Sequence, residues 1–156
     1  MRSWDDYKKT MPSVDPVFDY ARTGNIDGLK EVLRSGTING KDAKGYSPLM
    51  LAGYNGQLEA TELLLSLGAD PNSTDLTGNT ILMGVAFKGH VEIVKLLIAH
   101  GADPRATNPK QQTALQFAQM FGRAEVAKLL STDKNFSLTD QLTSWLSFIF
   151  PTRSPR

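Results

Sequence analysis

The chain is 156 residues long, 40% of them hydrophobic, and carries a formal net charge of +1, enough apolar material for one domain with a modest core. Lys and Arg are spread along it rather than gathered into the basic stripe that phosphate backbones require, which argues against nucleic acid as a partner. With no cysteine and only two histidines, disulfide, thiolate and zinc-site chemistry are excluded, and a reducing cytoplasm suits the composition.

The opening residues, MRSWDDYKKT, lack the apolar core of a signal peptide. Ser3 with Asp6 makes a capping-box-like start for a short helix over residues 3–10, which offers Trp4 and Tyr7 to cover the next element. The stretch DPVFDYARTGNIDGLKEVLRSG from Asp15 then reads as two short helices. Asp15 serves as N-cap, Pro16 sits in the first turn, and Gly24 stands between the helices.

The same plan recurs downstream. GYSPLMLAGYNGQLEATELLLSLGADPN starts at Gly45, GNTILMGVAFKGHVEIVKLLIAHGADP at Gly78, and QQTALQFAQMFGRAEVAKLL at Gln111. The offset is 33 residues (89 minus 56 for Gly56 and Gly89), and Leu49, Leu82 and Leu115 keep it; the first copy is offset by 32 (56 minus 24). Helices this short are marginal alone, so their stability has to come from stacking on copies of themselves. The polar spans between copies, such as ADPRATNPKQQ, are rich in turn formers and read as projecting turns or hairpin arms.

After the last copy, Ser137 and Asp140 mark another helix start, and Leu138, Leu142, Trp145, Leu146 and Ile149 fall on one face. Residues 136–150 are therefore expected to form a helix that covers the end of the stack, closed by Pro151. Its polar face has no Lys or Arg for anionic lipid, so a cap is favoured over a membrane-binding or partner-binding helix. Residues 151–156, PTRSPR, are expected to be a disordered tail. No apolar run approaches the roughly 20 residues that span a bilayer. The sequons at Asn72 and Asn135 carry weight only on the secretory route.

Three copies in register of a turn, a first helix and G-H-x-E-I-V-x-L-L-x-x-G-A-D resemble the ankyrin repeat, whose period is about 33 residues. The resemblance implies an all-α solenoid of about four helix-turn-helix repeats, at 13–44, 45–77, 78–110 and 111–135, joined by β-turn or hairpin arms. Helical caps stand at both ends, and residues 1–135 form the repeat domain. The first-helix histidine of the family pattern is replaced by Met50, Met83 and Gln116, so the polar network from arm to helix is expected to be weaker.

Ankyrin-like repeats bind other proteins with their arms and with the concave face of their first helices. The resemblance carries that role onto Tyr46, Tyr54 and Asn55, then Leu76, Asn79, Phe87 and Lys88, then Lys110, Gln112, Met120 and Phe121. Tyr54, Phe87 and Met120 are 33 residues apart and are expected to stand in one row, with Phe121 beside the last. The combinations LMLAGYNG, GVAFKG and AQMFGR are similar to small bacterial ankyrin proteins, including members encoded beside catalases. The function implied is a monomeric, cytoplasmic, non-enzymatic module that holds, inhibits or stabilises a partner protein, such as a bacterial stress enzyme of the catalase kind. The other reading is an immunity or self-protection inhibitor of a toxic hydrolase.

No catalytic, cofactor-binding or metal-binding residues emerge. His90 opens a helix and His100 ends one, with no serine motif, cysteine or paired carboxylate beside them. Glu59 and Glu92 recur with the repeat and mark the scaffold. Asp70 and Asp103 belong to GADP turns, where such residues bond local backbone.

Overall fold

The computed structural model describes residues 15–33 and 38–132. The expected helix over 3–10, the capping helix over 136–150 and the tail at 151–156 lie outside the described residues. Among those residues are the helices α1 (Pro16–Thr23), α2 (Ile26–Val32), α3 (Pro48–Tyr54), α4 (Leu58–Ser66), α5 (Ile81–Lys88), α6 (Val91–Ala99), α7 (Ala114–Met120) and α8 (Ala124–Ser131). The extended element there is a lone antiparallel bridge between Thr74 and Thr80.

Each first helix begins where a side chain takes over an unpaired backbone N–H. The Asp15 carboxylate accepts from Val17 N at 3.1 Å. Ser47, Thr80 and Thr113 accept from the N–H of Met50, Met83 and Gln116 at 3.2, 3.2 and 3.3 Å, capping α3, α5 and α7. Gln116 answers by accepting from Thr113 N at 2.8 Å, whereas Met83 offers only its sulfur to Thr80 N at 3.4 Å. At the other end of α5, Gly89 adopts a φ of 87°, open to a residue without Cβ, and the chain reverses into α6.

The helices pair as α1/α2, α3/α4, α5/α6 and α7/α8. First helices α1, α3, α5 and α7 pack on one another in a row, and α2, α4, α6 and α8 form a second row beside it. The result is an all-α repeat solenoid. Its core runs between the rows: Leu49, Ile81, Leu82, Val85, Leu64, Val94 and Leu97 are all buried. Side chains of this size contribute about 1.5–3 kcal/mol each on burial.

Three positions just after the inter-helix glycines tie each repeat to the one before. Gln57 donates to Arg22 O at 3.2 Å, and Arg123 Nε donates to Phe87 O at 2.9 Å. The His90 ring takes the same position and lies against Gly56, where an added Cβ would come within 2.9 Å of it. His90 therefore has a packing task at this seam.

Two asparagines form a second seam. Asn39 accepts from Asp70 N at 2.8 Å; Asn72 accepts from Asp103 N at 2.8 Å and donates to Gly101 O at 2.9 Å. Asp70 and Asp103 accept from Asn72 N and Arg105 N, the local backbone role read from the GADP turns.

Candidate functional site

The arms are built from one device used three times. Asp42, Asp75 and Asn108 each accept at Oδ1 from backbone N–H groups two and four residues on. The partners are Lys44 and Tyr46 (2.8 and 2.9 Å), Thr77 and Asn79 (2.8 and 3.0 Å), and Lys110 and Gln112 (both 3.0 Å). The second and third arms are stitched by Asn108 Nδ2 donating to Asn79 Oδ1 at 2.8 Å. The first and second are joined by Lys41 Nζ, which donates to Thr74 O at 2.6 Å. Polar ties thus run from arm to arm, a direction apart from the arm-to-helix network that the missing histidines would have served.

At Asp75, burial raises the carboxyl pKa, while hydrogen bonds from Thr77 and Asn79 lower it. The hydrogen bonds prevail, and the group sits below its ordinary value. Asp75 is an anion whose oxygens are already occupied by donors.

Beneath the arms, the first helices carry an aromatic row. The rings of Tyr54 and Phe87 are parallel within 7° with centroids 6.2 Å apart, and Phe121 meets Phe87 edge-on at 4.4 Å. Lys88 Nζ lies 4.8 Å above the Tyr54 ring. The row continues through Phe121 rather than through Met120, which follows the 33-residue spacing but carries no ring to complete an edge-to-face pair.

Alongside the row runs a groove of about 420 Å³ that crosses all four first helices. Arg22 reaches it from α1. Tyr46, Met50, Leu51, Tyr54 and Asn55 come from α3 and its approach, and Asp75, Asn79, Thr80, Gly84 and Phe87 from the second arm and α5. Phe117 of α7 closes the lining.

The residues singled out from sequence divide into three groups. Tyr46, Tyr54, Asn55, Asn79 and Phe87 line the groove. Leu76, Met120 and Phe121 are not part of its lining and are exposed, at 76%, 63% and 45%. Lys88, Lys110 and Gln112 are neighbours of the arms and ring row rather than groove walls. Asn79 and Gln112 already spend their amides on Asp75, Thr77 and Asn108, and Asn55 Nδ2 donates to Leu51 O at 2.8 Å. Such residues shape the surface more than they offer free hydrogen bonds.

Arg22, Met50, Leu51, Asp75, Thr80, Gly84 and Phe117 line the groove without having been singled out as binding residues. Leu51, Gly84 and Phe117 are 33 residues apart (84 minus 51, 117 minus 84), so the repeat itself held the signal. Gly84 stands out in that series, because glycine inside a helix costs about 1 kcal/mol relative to alanine.

Among the described residues, no group of three or more His, Cys, Asp or Glu is placed to hold a metal ion. No helix there is long and apolar enough to cross a membrane.

Comparison with known proteins places this architecture. A zebrafish protein, ankyrin repeat domain-containing protein 29, is 41% identical over 68 residues, 42% of this chain and 23% of that protein. Its human counterpart is 37% identical over 68 residues, with the same shares of each chain. The human DNA-binding protein RFXANK is 40% identical over 58 residues, 36% of this chain and 22% of that protein. The matched stretch thus spans about a quarter of the length of these relatives. The family model of ankyrin repeats, in three copies, matches residues 12–75 and 49–141. Repeats of this kind are in general protein–protein interaction modules, typically without enzymatic activity, and this chain belongs to the ankyrin repeat family.

Proposed function

We propose that this chain is a non-enzymatic module that holds, inhibits or stabilises one partner protein through the face made by its first helices and arms. The observation that carries the reading is the row Tyr54–Phe87–Phe121 beside an open, mainly apolar groove. Large rings at a surface already fixed by neighbouring repeats lose little further freedom on binding, which suits them to be energetic anchors. The chain acts as a monomer in the cytoplasm. A stress enzyme such as catalase is the partner suggested by the likeness to small bacterial ankyrin proteins, and a toxic hydrolase is the other.

The test is Tyr54→Ala with Phe87→Ala, read for partner capture and for Tm. Each ring that fills a partner pocket contributes about 2 kcal/mol or more, so capture should fall at least a hundredfold with Tm nearly unchanged. Retained capture with a large fall in Tm would instead assign both rings to packing between repeats.

A further inference from the structure

Met120 holds the position where Tyr54 and Phe87 carry rings in the two repeats before it, and it is 63% exposed. The other methionines among the described residues are closed off. Met50 is 7% exposed, and Met83 is 0% exposed with its sulfur accepting from Thr80 N at 3.4 Å. Met1 and Met11 lie outside the described residues. A solute oxidant therefore meets the Met120 thioether directly, and reaches those of Met50 and Met83 only through local opening.

The exposed sulfur also faces a donor. Gln112 Nε2, on the approach to α7, donates to Met120 Sδ at 3.9 Å. A thioether is a weak acceptor, which fits so long a bond. The amide behind it belongs to a chain. Gln112 Oε1 accepts from Asn108 Nδ2 at 3.2 Å, and the same Nδ2 donates to Asn79 Oδ1 at 2.8 Å. Asn79 Nδ2 in turn donates to Thr77 Oγ1 at 2.7 Å and to Asp75 Oδ2 at 3.4 Å. Side-chain amides thus run in line from the sulfur, through the third arm, to the carboxylate of the second.

We propose that Met120 is a reversible oxidation site whose state is read by the amide chain Gln112, Asn108 and Asn79. The oxidant is hydrogen peroxide. A sulfur lone pair attacks one peroxide oxygen, the O–O bond breaks as the S–O bond forms, and the sulfur gives up two electrons while the second oxygen leaves as water. Reduction by two thiols restores the thioether and yields a disulfide and water. Oxidation turns a weakly accepting apolar side chain into a polar one whose oxygen accepts well. Gln112 Nε2 then donates a stronger bond, its carbonyl becomes the better acceptor for Asn108, and the effect fades with each amide, as polarisation along a hydrogen-bond chain does. The joint between the third and second arms tightens as a result. Neither step requires a partner on the groove.

The experiment treats the full chain with hydrogen peroxide and follows each methionine by peptide mass mapping. Nitrogen–proton spectra of the side-chain amides are recorded before oxidation, after it, and after repair by a methionine sulfoxide reductase with dithiothreitol. In the folded chain Met120 should oxidise at least about tenfold faster than Met50 and Met83, with the rates converging in urea. The Gln112 amide should shift most, Asn108 less and Asn79 least, and all should return on reduction. Gln112→Leu should silence Asn108 and Asn79 while Met120 still oxidises. Met120→Leu should abolish the amide response, which also excludes Met1 and Met11 as its source. Tm should move little, because the sulfur lies outside the core.

Met83 oxidising as fast as Met120 in the folded chain would overturn the site itself. Oxidised Met120 with unmoved amides, or amide shifts that persist in Met120→Leu, would overturn the relay. A large fall in Tm on oxidation would do so too, since the thioether would then serve packing rather than report to the arms.

Discussion

Leu82 and Leu115 hold the same position in successive repeats, yet Leu82 is 1% exposed and Leu115 is only partly buried. The contrast extends to their helices. In α5, Ile81, Leu82, Met83, Val85 and Ala86 are buried; in α7, only Ala114 and Ala118 are. A residue in a stack is buried by the repeats on both sides of it, so similar sequence yields unequal cores. The chain has adjusted to this locally: Met83 and Ala86 of α5 become Gln116 and Gln119 in α7.

The largest expected effect tests that contrast directly. Leu82→Ala should cost about 2–5 kcal/mol, because a closed site collapses poorly around the lost atoms. Leu115→Ala should cost less than half as much, measured by urea unfolding. Equal losses would mean that residues beyond 132 cover α7, as the sequence of 136–150 led us to expect. Deleting the chain from Ser137 should then lower Tm and erase the cost of Leu115→Ala.

The arms repeat the lesson at smaller scale. Gly78 has a φ of 81°, and an added Cβ would lie 2.5 Å from Pro109 of the next arm. Gln111, its equivalent in the last repeat, keeps the left-handed backbone, at φ 59°, as an exposed residue with a side chain. Gly78→Ala should therefore destabilise by about 1–3 kcal/mol through strain and collision. Gln111→Gly should gain up to about 1 kcal/mol, since relief of strain exceeds the added freedom of the unfolded chain. Opposite signs in thermal melts support the contrast; a loss at both positions would show that the Gln111 side chain contributes more than its backbone costs.

These pairs also show what a sequence discloses. The helices were legible because glycines and leucines recur at fixed spacing and each has a local consequence; the recurring hydroxyl caps Ser47, Thr80 and Thr113 came from the structure. Tyr54 and Phe87 were legible because ring residues repeated at the period of a stack must be neighbours. Phe121 taking the place of Met120 was not, since ring geometry, rather than position, chooses the third member. Arg22 was hidden by the shift from a 33- to a 32-residue offset in the first copy. Gly84 was hidden because a small residue among apolar ones reads as core until its surroundings are known. The Asn39 and Asn72 seam had a signal, identical residues 33 apart (72 minus 39), but their turns read as purely local. Hydrogen bonds spanning 31 residues have no sequence signature of their own.

The smallest expected effect compares the second arm with the third. Asp75 and Asn108 form the same turn, but only Asp75 can take up a proton, and its carboxyl is held below the ordinary value of 3.8. A depressed folded value means stabilisation that is complete above the unfolded pKa and is lost as pH falls through the folded one. Asp75→Asn retains an oxygen for Thr77 N and Asn79 N, as Asn108 does for its own turn, and removes only the charge. The parent should therefore exceed Asp75→Asn by less than about 1 kcal/mol at neutral pH, because the site is partly open to solvent. That margin should stay flat down to about pH 5 and shrink below about pH 4 in urea midpoints. A margin unchanged from pH 7 to pH 2 would mean that the turn depends on acceptor geometry alone, making the second and third arms equivalent.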